Sequence, residues 1–113
     1  MEYDYNLDGR VWLEKAGVKV LGKGRVELLE RIQQSGSIRQ AALQMKMSYK
    51  QAWELIKHMN THFGTSLVET HRGGKGGGNA VVTPFALNLI NEYKLLQTKF
   101  REFLNSNNIE LNK

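Results

Sequence analysis

From Ser35 to Phe63 the apolar residues fall on two short helical stripes set almost end to end. Ile38, Ala41, Ala42 and Met45 stand at i, i+3, i+4 and i+7, one face of a helix, and the two alanines permit close backbone approach. Ala52, Leu55, Ile56, Met59 and Phe63 repeat that spacing. Each stripe follows a helix-start signal, Ser37 with Gln40 and Ser48 with Gln51, at the spacing of a capping box. Two starts so close leave room only for a turn, so the stretch is expected to be a helix-turn-helix.

The flanking pattern supplies the rest of the fold. Val11, Leu13, Val18 and Val20 alternate with polar neighbours about Lys15, Ala16 and Gly17, which predicts strands over Arg10–Glu14 and Val18–Leu21 joined as a hairpin. Met1–Asp8 has no periodicity. Val26, Leu28, Leu29 and Ile32 mark a helix that Gly36 closes. Leu67–His71 and Ala80–Thr83 read as two more strands, with the glycine-rich RGGKGGGN, Arg72–Asn79, between them. Thr83 and Pro84 are a cap and a first helical residue for a helix running to about Asn105.

Within that last helix Ala86, Leu89, Tyr93, Leu96, Phe100 and Phe103 alternate in steps of three and four. This seam is longer than so small a domain needs for its own core, and Leu89, Tyr93, Leu96, Phe100 and Phe103 are the expected dimer interface. Leu87, Ile90 and Leu104 form a second stripe for packing on the home domain. The expected fold is mainly α with small β: a winged helix-turn-helix with an N-terminal β-hairpin and a long C-terminal dimerisation helix. Tail and hairpin occupy 1–22, the winged helix 23–83, and the dimerisation helix and tail 84–113.

Composition narrows the function. A chain of 113 residues has room for one modest core. No apolar run approaches membrane-spanning length and no secretory signal is visible, so no membrane partner and a cytoplasmic site are expected. Sixteen Lys and Arg against eleven Asp and Glu give a formal charge of +5, which favours polyanionic partners. The absence of cysteine excludes disulfides and thiolate chemistry. His58 and His62 stand one helical turn apart, with His71 further on, but without Cys or a matched carboxylate pair no metal site is expected. No Ser, His and Asp arrangement stands out, so neither catalysis nor a cofactor is expected.

At roughly 100° per residue the polar side of the second stripe's helix carries Lys50, Trp53, Glu54 and Lys57, with Tyr49 and Gln51 at its edges. Lysine can donate to guanine or phosphate, glutamine can pair with adenine, and glutamate can accept from cytosine. Tyr49, Lys50, Gln51, Trp53 and Lys57, with Ser48 at the helix start, are therefore expected at the major groove of double-stranded DNA, and Ser37, Arg39 and Gln40 at its backbone. Arg72 and Lys75 would bring charge to the backbone from a loop whose glycines allow close approach, the wing. Nucleotide binding is the competing reading of that loop. It lacks the Walker pattern, because Lys75 is followed by Gly76, and the dinucleotide fingerprint, because Asn79 stands where a third glycine is required.

SGSIRQAALQMKMSYKQAWELIKHMN, LVETHRGGKGGGNAVVT and the long helix after Pro84 together resemble the N-terminal DNA-binding domain of the ModE family of molybdate-responsive regulators, and more distantly the LysR-type winged helix. The resemblance covers about Lys23 to Leu104. It implies a winged-helix homodimer on an operator, with the terminal helix, and with it the N-terminal hairpin, in the dimer interface. Two departures bear on this. The family's turn carries a glycine where this sequence has Lys46, at a cost of roughly 1 kcal/mol if the left-handed geometry is kept. Family members also continue into an oxyanion-binding domain, whereas this sequence stops at Lys113, so no molybdate response is expected of it alone. The second hypothesis is a winged-helix protein-interaction module working with a separate sensor protein.

Overall fold

The computed structural model describes residues 5–71 and 79–109 of the chain. Its elements run β1 (Leu13–Lys15), β2 (Val18–Leu21), α1 (Lys23–Ser35), α2 (Ile38–Gln44), α3 (Tyr49–Phe63), β3 (Val68–His71), β4 (Asn79–Val82) and α4 (Pro84–Ser106). Each helix and both hairpins are where the periodicity placed them, with ends shifted by up to three residues. The clearest shift is in β1, which starts at Leu13 rather than Arg10. The register slips between Leu13 and Glu14, and the Val11 carbonyl accepts from the Tyr93 hydroxyl of α4 at 2.7 Å instead of joining the ladder.

Local chemistry explains the breaks. Ala16 and Gly17 both have positive φ, 51° and 79°, the left-handed pair that matches a two-residue turn to strand twist. Gly36 closes α1 at φ 70° and donates its N–H to the Ile32 carbonyl at 2.8 Å. Ser48 and Gln51 form the full capping box at the start of α3: the Ser48 hydroxyl oxygen accepts from Gln51 N–H, and Gln51 Oε1 accepts from Ser48 N–H. At α2 only half of the expected box forms. Ser37 Oγ accepts from Gln40 N–H at 3.1 Å, while Ser37 N–H goes to Ser35 Oγ at 3.2 Å. The nearer Ser35 hydroxyl takes the donor that Gln40 would otherwise have satisfied.

The two hairpins are antiparallel and separate, β1 with β2 and β3 with β4. The second is bound to the helices at both ends: Ala80 N–H donates to the Gly36 carbonyl at 2.9 Å, and Leu67 N–H, just before β3, donates to Asn60 Oδ1 of α3 at 2.8 Å. One apolar core joins the elements, running from Leu21 of β2 through Ile32, Ala41, Ile56 and Val82 to Ile90 and Tyr93, with Leu13 of β1 packed against it. The segments expected as hairpin, winged helix and terminal helix therefore share a single interior. Removing any fully buried Leu or Ile of this size costs about 2–5 kcal/mol.

Candidate nucleic-acid interface

The second helix of the pair, α3, is fixed from within. Ala52, Ile56 and Met59 are fully buried, and Leu55 and Phe63 are half-buried against the core. Its C-terminal end is held by Lys15 of β1, whose Nζ donates to the His62 carbonyl at 2.9 Å, a cation on the negative end of the helix. Its side away from the core is left to solvent: Lys50, Glu54 and Lys57 are exposed.

The turn between α2 and α3 adopts the geometry in which the family glycine was expected. Lys46 has φ 57°, Met47 N–H donates to the Ala42 carbonyl at 3.0 Å and Lys46 N–H to the Leu43 carbonyl at 3.1 Å, a Schellman closure with lysine at its left-handed position. The exposed Lys46 side chain thus lies at the junction of the two helices. Among the described residues the ion pairs are Arg31 with Glu27, Lys94 with Glu30 and Arg101 with Asp8. None involves Arg39, Lys46, Lys50 or Lys57, so these exposed cations keep their charge for an outside partner.

Aromatic residues bridge the pair. The Arg39 guanidinium lies over the Tyr49 ring, its Cζ 4.6 Å from the centroid. The Tyr49 ring meets Trp53 edge-on at 6.3 Å, and Trp53 is half-buried against the core. Trp53 therefore backs the face more than it presents itself. Gln51 is also engaged, since its Oε1 is committed to the cap. Adenine recognition needs the amide oxygen and nitrogen together, so only the nitrogen of Gln51 is left to donate.

The expected wing strands are present as β3 and β4, paired Val68 to Val82 through His71 to Asn79. Arg72 and Lys75 lie outside the described residues.

Residues 24–87 match the family described as bacterial regulatory helix-turn-helix protein, lysR family. The chain belongs to that family. It is 47% identical over 73 residues to the transcriptional regulator ModE of Haemophilus influenzae, covering 65% of this chain and 29% of that protein. With the ModE of Yersinia pestis it shares 49% over 74 residues, 66% of this chain and 28% of that one. With the molybdenum-pterin-binding protein MopB of Rhodobacter capsulatus it shares 38% over 109 residues, 93% of this chain and 40% of that one. The chain thus spans less than half the length of the curated relatives it matches. The matched segment of this regulatory family runs from α1 through β4 into α4 and contains the whole exposed set on α2, the turn and α3.

Exposed residues of that set not among the contacts expected from the sequence are Leu43 and Gln44 on α2, Lys46 on the turn and Thr61 on α3. Thr61 falls within about 40° of Lys50, Glu54 and Lys57 at 100° per residue, and its position was legible from that count alone. In the sequence Lys46 stands out only as a non-glycine residue in the turn.

The expected dimer seam on α4 divides. Tyr93 is 2% exposed within its own chain, its hydroxyl bonded to Val11, so it serves the home core and is not on a free face. Phe100 is half-buried, and Gly9 approaches so closely that a Cβ there would stand 3.1 Å from its ring. Leu89 is half-buried, while Leu96 and Phe103 are 40% and 55% exposed. Phe85, 44% exposed and outside the expected set, falls on the same line of the helix as Leu89, Leu96 and Phe103.

Proposed function

We propose that this chain is a DNA-binding unit of a transcription regulator, placing the exposed face of α3 in the major groove of double-stranded DNA. The observation that carries the reading is the division of α3: Ala52, Ile56 and Met59 sealed in the core, and Lys50, Glu54 and Lys57 exposed on the other side. A rigidly held helix with unpaired cations is what base-edge readout requires. Lys50 and Lys57 contact base edges or the groove rim, with Tyr49 and Trp53 behind them. Ser37, Arg39, Gln40, Ser48 and the Gln51 amide nitrogen meet phosphates. The loop that joins β3 and β4 brings Arg72 and Lys75 to the backbone, a largely sequence-independent contact. Membership of a regulatory helix-turn-helix family and the likeness to proteins named transcriptional regulators support this.

The acting form is a two-fold dimer joined through α4, which matches a palindromic operator with half-sites about one DNA turn apart. The reading is tested by selecting bound fragments from a random DNA pool, then titrating the selected and a random duplex at several salt concentrations. Expected are an enriched palindrome, tighter binding to it than to random duplex, and affinity that falls steeply with salt. Binding to neither duplex would favour the protein-interaction reading, in which the exposed apolar line of α4 engages a separate sensor chain.

A further inference from the structure

We propose that Tyr49 is a positioning residue, whose ring restrains the Arg39 guanidinium so that its free N–H donors are held toward one phosphate of the duplex. This rests on the DNA-binding reading above and gives Tyr49 a different part in it from the groove contact expected from the sequence.

A line of contacts runs outward from the core to Arg39. Trp53 is half-buried and packed on the core. Its ring meets Tyr49 edge-on, at an interplanar angle of 87°. Tyr49 opens α3, one turn before Trp53, and its ring stands against the indole. The Arg39 guanidinium, on α2, rests on that ring. The stack is thus the one aromatic contact described between the two helices of the motif, and it ends on a cation with no hydrogen-bond or ion-pair partner among the described residues.

The geometry has a chemical consequence. A guanidinium held against a ring by a cation–π contact still has N–H donors to offer, and those donors match phosphate oxygens. A free arginine on a helix surface loses rotamer freedom when it takes up such a bond, and one already resting on a ring loses less. The first helix of a helix-turn-helix crosses the DNA backbone, so a residue in its opening turn faces phosphate rather than base. Tyr49 then contributes affinity without contributing sequence preference.

A double-mutant cycle tests this, with Arg39→Gln, Tyr49→Phe, Tyr49→Leu and the Arg39→Gln, Tyr49→Leu pair. Each is titrated on a random duplex and on a pool-selected duplex over a series of KCl concentrations. Expected for Arg39→Gln is a salt slope shallower by about 0.9, one phosphate contact. Tyr49→Phe keeps the ring and binds like the parent. Tyr49→Leu binds about three- to five-fold more weakly on both duplexes, and that loss vanishes in the Arg39→Gln background. Equal losses from Tyr49→Leu in both backgrounds, a Tyr49→Phe defect as large as that of Tyr49→Leu, or an altered selected sequence would each overturn the proposal. Thermal melts accompany every variant, and Tyr49→Met replaces Tyr49→Leu in the cycle if the leucine variant melts early. A parent chain without salt-sensitive binding removes the DNA-binding reading and this proposal together, whereas a binding parent with additive losses removes only this proposal.

Discussion

Lys46 is a lysine in a glycine's conformation, at φ 57°, and its two contributions oppose one another. The left-handed backbone costs about 1 kcal/mol for a residue with a Cβ, part of which glycine would return through its greater freedom in the unfolded chain. The side chain, in exchange, places a cation between the two helices of the motif. Lys46→Gly should therefore stabilise the fold by about 0.5 kcal/mol, read as a higher urea midpoint at constant m. It should at the same time weaken binding to any duplex and make the salt slope shallower by about 0.9. A variant that gains stability and binds DNA as well as the parent would leave Lys46 a structural accident.

His58 carries a second prediction at this scale. It is half-buried, its Nδ1 is enclosed without a hydrogen-bond partner, and its ring lies 4.3 Å from that of His62. Burial first, then the proximity of His62 and of Arg25 on α1, hold its pKa below the ordinary histidine value. A base whose pKa is lower in the folded state binds fewer protons there than when unfolded. Its contribution to stability is therefore complete above the unfolded pKa, near 6.5, and is lost as pH falls from there through the folded value. Melting temperature should decline from pH 7.5 to pH 5 in the parent and decline less in His58→Gln. Parallel profiles would mean that His58 does not report its surroundings.

At the scale of elements, what was legible in the sequence was whatever is encoded locally. Helix starts at Ser37, Ser48 and Thr83, the Gly36 stop and the Ala16–Gly17 turn each depend on residues within one turn of chain, and all form, the Ser37 box only in half. The division of α3 follows from its period of 3.6 and was equally readable. Allocation of the α4 seam was not, because it depends on a contact 82 residues away, Tyr93 to Val11. Nothing in the pattern of residues 5–12 announces that they cover the middle of α4, so a continuous stripe was read as one surface when its alternate turns face different neighbours. For the same reason Gln51 was counted both as cap and as base reader, although one amide oxygen cannot fully serve both.

Lys50→Ala removes a donor from the N-terminal end of the presented face without touching the buried Ala52, Ile56 and Met59. Stability should change by less than about 0.5 kcal/mol. Discrimination between selected and random duplex should fall by about 1–3 kcal/mol, ten-fold or more, through weaker binding to the selected site. Equal weakening on both duplexes would reassign Lys50 to a phosphate.

Over the whole molecule, α4 is longer than its own core can use. Its 23 residues span about 34 Å, and the radius of gyration is 17.7 Å, against about 13 Å for a compact chain of this length. Along that helix one line, Phe85, Leu89, Leu96 and Phe103, carries large apolar side chains, three of them at least 40% exposed. The next turns of the same helix hold Ile90, Tyr93 and Leu104 buried, so α4 has two apolar sides and this chain covers one. A second copy, related by a two-fold axis, would bury the other and set two α3 helices facing the same duplex. Replacing both Leu96 and Phe103 with Glu puts charge on positions that are already solvent-facing, so the monomer should keep its helix content and its melting transition within a few degrees. Sedimentation should change from dimer to monomer at micromolar concentration. Affinity for a palindromic duplex should fall by at least about 100-fold, because the second half-site then binds without the advantage of linkage. Affinity for a single half-site should stay as it was. If the double variant sediments like the parent, the dimer is held elsewhere; if it is monomeric yet binds the palindrome undiminished, the two reading helices do not act as a pair.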